Sequence, residues 1–258
     1  MDIIDIISKK PFAVVGHRGA KGRKPENTLA AIEYAIKVGA DIVEVDVRQT
    51  KDSELILLHD RDFKRLTGRA FIPSQLSYDF IKENITIDGE PIASLKDAIK
   101  TVGGKAGLFV EIKEPETTEK VVETVISYNA EKWVGFISFF EEALIKVKEI
   151  NPQLKTGLIY MKPPGKIYQA KKINCEFVLS LYRLSTGKAV NFAHRLNLKV
   201  VSWVINDYET AKLMHSRGID AIASDYPDLA VKWKEKIRGS TPFYLNAGRH
   251  LLRGDVHV

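Results

Sequence analysis

The sequence has little with which to cross-link itself, anchor in a bilayer or grip a polyanion. Cys175 is the only cysteine, so no disulfide can form within the chain, and a reducing compartment fits. No apolar run approaches the ~20 residues that span a bilayer. The first seven residues carry Asp2 and Asp5 where a secretory leader needs cations. A cytoplasmic protein without stable membrane insertion is the expectation. Long runs of one charge sign are also missing. Lys and Arg total 39 against 33 Asp and Glu, a net charge of +6, but the cations are spread along the chain. The isoelectric point near 9.1 therefore reads as solubility and mild steering of anions. Without clustered cations interleaved with aromatics, nucleic acid is excluded as a partner. No internal repeat or low-complexity segment is present, which excludes a solenoid.

What is there is ordinary globular composition, 258 residues with 45% hydrophobic and 28% charged. One domain of about 250 residues is the usual size of an eight-stranded β/α barrel. Short β-branched runs near 12–16, 41–47, 107–112, 133–138, 155–160, 177–182, 199–205 and 219–224 predict strands. Helical patterns near 28–38, 94–102, 117–129, 141–149, 166–172, 187–196 and 207–217 separate them. Asn27 or Thr28 can cap the first of these, and Gly39 ends it. Leu55-Ile56-Leu57-Leu58 follows Val47 too closely for a parallel crossover, which needs about a dozen residues. It should return antiparallel, with a turn near Lys51-Asp52-Ser53. Eight parallel strands remain, the number that closes a TIM (β/α)8 barrel. The whole chain, 1–258, reads as one catalytic barrel domain, with a hairpin and small insertion at 48–93 over the mouth and a tail at 239–258.

Working groups of such barrels stand at the C-terminal strand ends. Here those ends carry His17-Arg18, Glu44 with Asp46, His59-Asp60, Glu111 with Lys113, Trp203 with Asn206, and Asp225. Glu44 and Asp46 are two apart on a strand and share a face, opposite Val43, Val45 and Val47. Two like charges about 4 Å apart repel by roughly 4 kcal/mol at an effective dielectric of 20. Three converging carboxylates therefore call for a cation, and all-oxygen ligands favour Mg2+ or Ca2+, with Mn2+ third. The competing reading is a structural ion-pair cluster with Arg18 and Lys113. His17 and His59 suit proton transfer near neutral pH, one as base and one as acid, in either assignment. Arg18 and Lys113 suit a phosphate. Trp203 is placed to stack on a substrate's carbon skeleton or to fill the barrel core. His194, His215, His250 and His257 fall on helices or in the tail and read as surface residues.

The ordered set resembles the glycerophosphodiester phosphodiesterase family. The matching segments are His17-Arg18-Gly19, Pro25-Glu26-Asn27-Thr28, Gly39-Ala40-Asp41, Glu44 with Asp46, Thr50-Lys51-Asp52 and His59-Asp60. They continue with Arg65 and Thr67, Ile92 to Leu95, Glu111-Ile112-Lys113, Trp203 with Asn206, and Gly218 to Asp225. The resemblance spans roughly 12–235 and implies hydrolysis of glycerophosphodiesters to an alcohol and sn-glycerol 3-phosphate. It implies His17 and His59 as the acid–base pair, and Glu44, Asp46 and Glu111 as ligands of one divalent cation. It also implies Arg18 and Lys113 on the phosphate, and Trp203 in the substrate pocket. Ser53 departs from the pattern, since the hairpin turn usually has glycine there; a different turn type would accommodate it. The expected partner is a small glycerophosphodiester, with a homo-oligomer left open. Two alternatives stand beside this reading. One is a lysophospholipase D-like or sphingomyelinase D-like enzyme, for which Phe71, Ile72, Leu76, Tyr78 and Phe80 offer an apolar rim. The other is a non-catalytic phosphate-binding barrel.

Overall fold

A computed structural model describes residues 1–162 and 165–240. Helix α1 (Ile3–Ile7) precedes strand β1 (Ala13–Gly16), helix α2 (Leu29–Lys37) and strand β2 (Ile42–Gln49). Strand β3 (Leu55–Leu57) turns back on β2. The insertion follows, with α3 (Lys64–Thr67), α4 (Tyr78–Asn84) and a two-stranded ribbon of β4 (Thr86–Ile87) and β5 (Glu90–Pro91). Then come α5 (Leu95–Val102), β6 (Gly107–Ile112), α6 (Thr118–Ser127), β7 (Val134–Ser138), α7 (Glu141–Ile150) and β8 (Lys155–Tyr160). The remaining described elements are α8 (Ile167–Lys172), β9 (Phe177–Leu181), α9 (Gly187–Arg195), β10 (Lys199–Trp203), α10 (Tyr208–Ser216), β11 (Ala221–Ser224) and α11 (Pro227–Ser240).

The strands run in the order β1-β11-β10-β9-β8-β7-β6-β2, and β1 pairs parallel with β2 to close the ring. This is the eight-stranded parallel barrel that the alternation predicts, with helices between its strands. The hairpin is antiparallel, pairing Val47 with Leu57 and Gln49 with Leu55. Ser53 takes φ +67, the left-handed conformation that glycine adopts freely.

Strand period two decides which side chains reach the site. Val43, Val45 and Val47 of β2 and Leu108, Val110 and Ile112 of β6 pack outward beneath the helices. Ile42 and Phe109, on the opposite faces, fill the barrel interior with Phe177 and Ile137. Gly135 and Gly157 make room there: a Cβ at Gly157 would lie 2.1 Å from the Phe177 ring. From below, α1 inserts Ile3, Ile6 and Ile7, all essentially fully buried, into the same interior. Each such side chain contributes about 1.5–3 kcal/mol by burial. The barrel is thus stoppered at its N-terminal end, and any cavity must open at the other.

The insertion has its own small core of Phe63, Ile81, Ile85 and Ile87, rooted on Ile56 and Leu58 after the hairpin. Phe71, Leu76 and Tyr78 pack against that core rather than forming an open apolar rim, and Phe80, 40% exposed, is the outward one. No helix among the described residues is long and apolar enough to cross a membrane. Helix α11 runs to Ser240, past Gly239 where the tail is expected to begin. The rest of the expected tail, with His250 and His257, lies outside the described residues.

Candidate active site

Strand β1 delivers His17, Arg18 and Gly19 to the mouth. The turn needs two left-handed residues, Arg18 at φ +50 and Gly19 at φ +80. Gly19 also lies against the start of α2, where a Cβ would come 2.7 Å from Ala31. In return the turn points backbone amides inward. Arg18 N–H donates to Glu44 Oε2 at 2.7 Å, and Gly19 N–H to the Glu44 carbonyl at 3.0 Å. The Pro-Glu-Asn-Thr segment then divides its labour. Asn27 grips Asp46 twice, donating to Oδ2 at 2.9 Å and accepting from its backbone N–H at 3.1 Å. Thr28, not Asn27, caps α2 by accepting from Ala31 N–H at 3.2 Å.

His17, Arg18, Glu44, His59, Glu111 and Trp203 line one cavity of about 370 Å³. Asp46 and Lys113 stand directly against these groups without lining it. The register pairs Asp46 with Glu111 across β2 and β6. Oxygens of Glu44, Asp46 and Glu111 lie within 4.8 Å of one another, and all three residues are buried. Lys113 Nζ sits 2.6 Å from Glu111 Oε1 and 3.3 Å from Asp46 Oδ1, and Arg18 Nε is 3.4 Å from Asp46 Oδ2. Two cations do not satisfy the three acids. Glu44 Oε1 is buried with no hydrogen-bond partner.

The electrostatics follow from this. Burial, then the neighbouring Asp46 and Glu111 carboxylates, push the Glu44 carboxyl well above its ordinary value. Burial and the charge of Asp46 raise Glu111 to about 7. Burial would raise Asp46 as well, but the Lys113, Arg18 and His59 charges and the Asn27 hydrogen bond hold it well below the ordinary carboxylate range. Burial lowers the His59 imidazole, with Asp46 partly opposing.

Each imidazole is held at one nitrogen. His17 Nδ1 is 2.7 Å from Asp225 Oδ1, and His59 Nδ1 is 2.7 Å from Asp60 Oδ1. Asp225 is clamped in turn by Asn206, which donates to Oδ2 at 2.8 Å and accepts from the Asp225 N–H at 3.0 Å. A carboxylate on Nδ1 fixes the tautomer and leaves Nε2 to exchange protons. The remaining wall of the cavity is apolar, from Ile137, Phe139, Ile159, Met161, Leu179 and Val201. Trp203 joins it edge-on to Phe139, ring centroids 6.1 Å apart, with its indole N–H buried and unpartnered. Of the remaining histidines, His194 is exposed and bonded to Asp220. His215 is half-buried edge-on to Phe12, not a surface residue as its helix position suggests.

Residue chemistry alone assigns no role in the site to Asp225, Asn206, Asn27, Glu26 or Arg65. Their signal is adjacency to the stronger motifs, visible as the family pattern but silent about contacts.

The sequence profile described as "Glycerophosphoryl diester phosphodiesterase family" matches residues 17–229. The chain belongs to that family. It is 30% identical over 239 residues to a glycerophosphodiester phosphodiesterase of Caldanaerobacter subterraneus subsp. tengcongensis, covering 86% of this chain and 98% of the relative. It is 25% identical over 265 residues to the Bacillus subtilis glycerophosphodiester phosphodiesterase, covering 90% and 89%. The Thermotoga maritima glycerophosphodiester phosphodiesterase structure superposes with a TM-score of 0.73 at 26% identity, covering 86% of this chain and 97% of that one. An Oleispira antarctica phosphodiesterase, solved with the product sn-glycerol-3-phosphate, shares the fold with a TM-score of 0.79 at 24% identity, covering 86% and 96%. The fold and the family place the chain among phosphoric diester hydrolases.

Proposed function

We propose that the chain hydrolyses glycerophosphodiesters to an alcohol and sn-glycerol 3-phosphate with one divalent cation and two histidines. The observation that carries this is the crowding of three buried carboxylates, one oxygen unpartnered, beside two carboxylate-held imidazoles in a single cavity. The donor set fits a hard cation, Mg2+ or Ca2+ with Mn2+ third, on Glu44, Asp46 and Glu111. When bound, such an ion supplies Lewis-acid polarisation of a phosphoryl oxygen.

The chain's own residues supply the rest. Arg18, which lines the cavity, and Lys113, which shares Asp46 with it, compensate charge gathering on the phosphoryl oxygens. Burial lowers His59, so it is neutral at pH 7 and suited to take the proton of the attacking hydroxyl at Nε2. His17, on the other side, gives a proton to the leaving oxygen and keeps its ring set by Asp225. Trp203 covers the glycerol carbons, and its free indole N–H supports that placement. The test is release of glycerol 3-phosphate from several glycerophosphodiesters as Mg2+, Ca2+ and Mn2+ are titrated. Hydrolysis that is cation-independent, or absent for every diester, refutes the reading.

The apolar cavity wall favours a second reading, cleavage of the head group from a lysophospholipid, with the acyl chain against Ile159, Leu179 and Met161. Turnover of lysophosphatidylcholine in the same assay favours it; activity on deacylated diesters alone excludes it.

A further inference from the structure

Two motifs that the chemistry above leaves unused meet at one place. Glu26, from the Pro-Glu-Asn-Thr segment, is almost completely buried beside Arg18, whose Nη1 donates to its Oε1 at 2.8 Å. Arg65, from α3 of the insertion, donates to the same carboxylate twice, Nη2 to Oε1 at 2.6 Å and Nη1 to Oε2 at 3.0 Å. The third edge of the Arg65 fork, Nε, donates to Asp60 Oδ2 at 2.5 Å, and the other oxygen of Asp60 holds His59 Nδ1 at 2.7 Å. The result is an unbroken chain of hydrogen-bonded charges, Arg18–Glu26–Arg65–Asp60–His59.

We propose that Glu26 and Arg65 are positioning residues that tie the phosphate-facing Arg18 to the Asp60–His59 pair. This rests on the function proposed above. Arg65 is 46% exposed, and ion pairs of that exposure add little to stability. Its value lies in geometry. One planar guanidinium bridges two carboxylates at fixed angles, which a lysine's single ammonium cannot do. The insertion supplies the anchor, since α3 is preceded by Phe63 of the insertion core. The arrangement also accounts for the order of the sequence signals. Asp60 follows His59 directly, and Arg65 follows five residues later at the start of α3, so the ring, its acceptor and the clamp are set locally. Glu26 alone comes from the barrel side, and it joins the insertion to the phosphate end of the cavity. The rival explanation is a stabilising ion pair with no bearing on the ring.

Arg65→Lys, which keeps the charge, and Arg65→Met, which removes it, separate the two. We expect both to lower kcat on glycerophosphocholine by about five- to tenfold at saturating Mg2+, with KM within about threefold, as for other groups that orient a reacting ring. In an Asp60→Asn background, Arg65→Met should cost less than about twofold more, because Arg65 acts through Asp60. The 15N spectrum of the His59 ring should change from one tautomer to a mixture in Arg65→Lys, read without turnover. Wild-type kcat in Arg65→Lys, losses that multiply in the double variant, or an unchanged His59 ring spectrum would each overturn the proposal. A wild-type protein that hydrolyses no glycerophosphodiester refutes the functional reading instead, and the ring spectrum still decides the tie.

Discussion

The two imidazoles line one cavity, each held at Nδ1 by a carboxylate 2.7 Å away, on different foundations. His17 and Asp225 are 208 residues apart, joined where the first barrel strand, β1, meets the last, β11, and clamped by the neutral Asn206. His59 and Asp60 are neighbours at the start of the insertion, clamped by the cationic Arg65. The first pair is also better sheltered, with side-chain exposures of 15% and 18% against 34% and 27%. One ring is therefore held by the scaffold and the other by a part added to it. Hydrogen bonds strengthen as water is excluded, so the sheltered pair should carry more of its ring's orientation.

Removing either ring is the most severe test. His17→Ala and His59→Ala should each lower kcat by at least about 10²-fold with the fold intact by circular dichroism. If one variant keeps its rate, that ring leaves the mechanism and the symmetry is false. Next come the supports. Asp225→Asn should cost about 10²-fold in kcat and Asp60→Asn nearer tenfold, since the better sheltered pair has less water to replace it. Equal losses would show that shelter is irrelevant to the comparison.

The pH profile sharpens it further. At saturating cation the acid limb of kcat/KM should lie below about 6.5, the ordinary histidine value, because burial lowers His59 and activity is lost as the ring protonates. At limiting cation the limb should move up toward 7, because a proton competes for Glu111, whose carboxyl stands at about 7. The same shift sets metal-free stability. Glu111 is raised in the folded state, so its contribution is fully present below the ordinary carboxylate range and is lost as pH rises through about 7. Thermal melts of the metal-free protein should fall over that window, and Glu111→Gln should flatten the slope.

The smallest effect lies away from the cavity. Arg18 and Asn27 accept left-handed backbone where it aims groups at the acids, whereas Ser53 accepts it in a hairpin turn outside the site. Ser53→Gly should raise stability by up to about 1 kcal/mol, less the extra freedom of glycine in the unfolded chain. Activity should be unchanged. A destabilised variant would mean that the hydrogen bonding around Thr50 and Asp52 outweighs the strain.

Strand alternation made the barrel legible, since Val43, Val45 and Val47 can only face the helices if Glu44 and Asp46 face inward. The hairpin followed from spacing alone. The stopper α1 did not, because Ile3, Ile6 and Ile7 form too short a helix to show a period and gain their meaning only from the barrel beneath which they pack. At the site, residue types pick out groups that the barrel brings to one cavity, but the Asp225 and Glu26 contacts span 208 and 39 residues, and no local pattern encodes such pairing. The insertion's apolar residues misled for a related reason: Phe71, Leu76 and Tyr78 look surface-directed until their small core is seen.

The proposed function depends first on Glu44, Asp46 and Glu111, which would together hold one divalent cation. Calorimetric titration of the chelator-stripped protein with Mg2+ and Ca2+ should give one ion per chain in the wild type and none measurable in a Glu44→Gln, Glu111→Gln double variant that remains folded. Equal binding by both proteins, or no binding by the wild type, would contradict it.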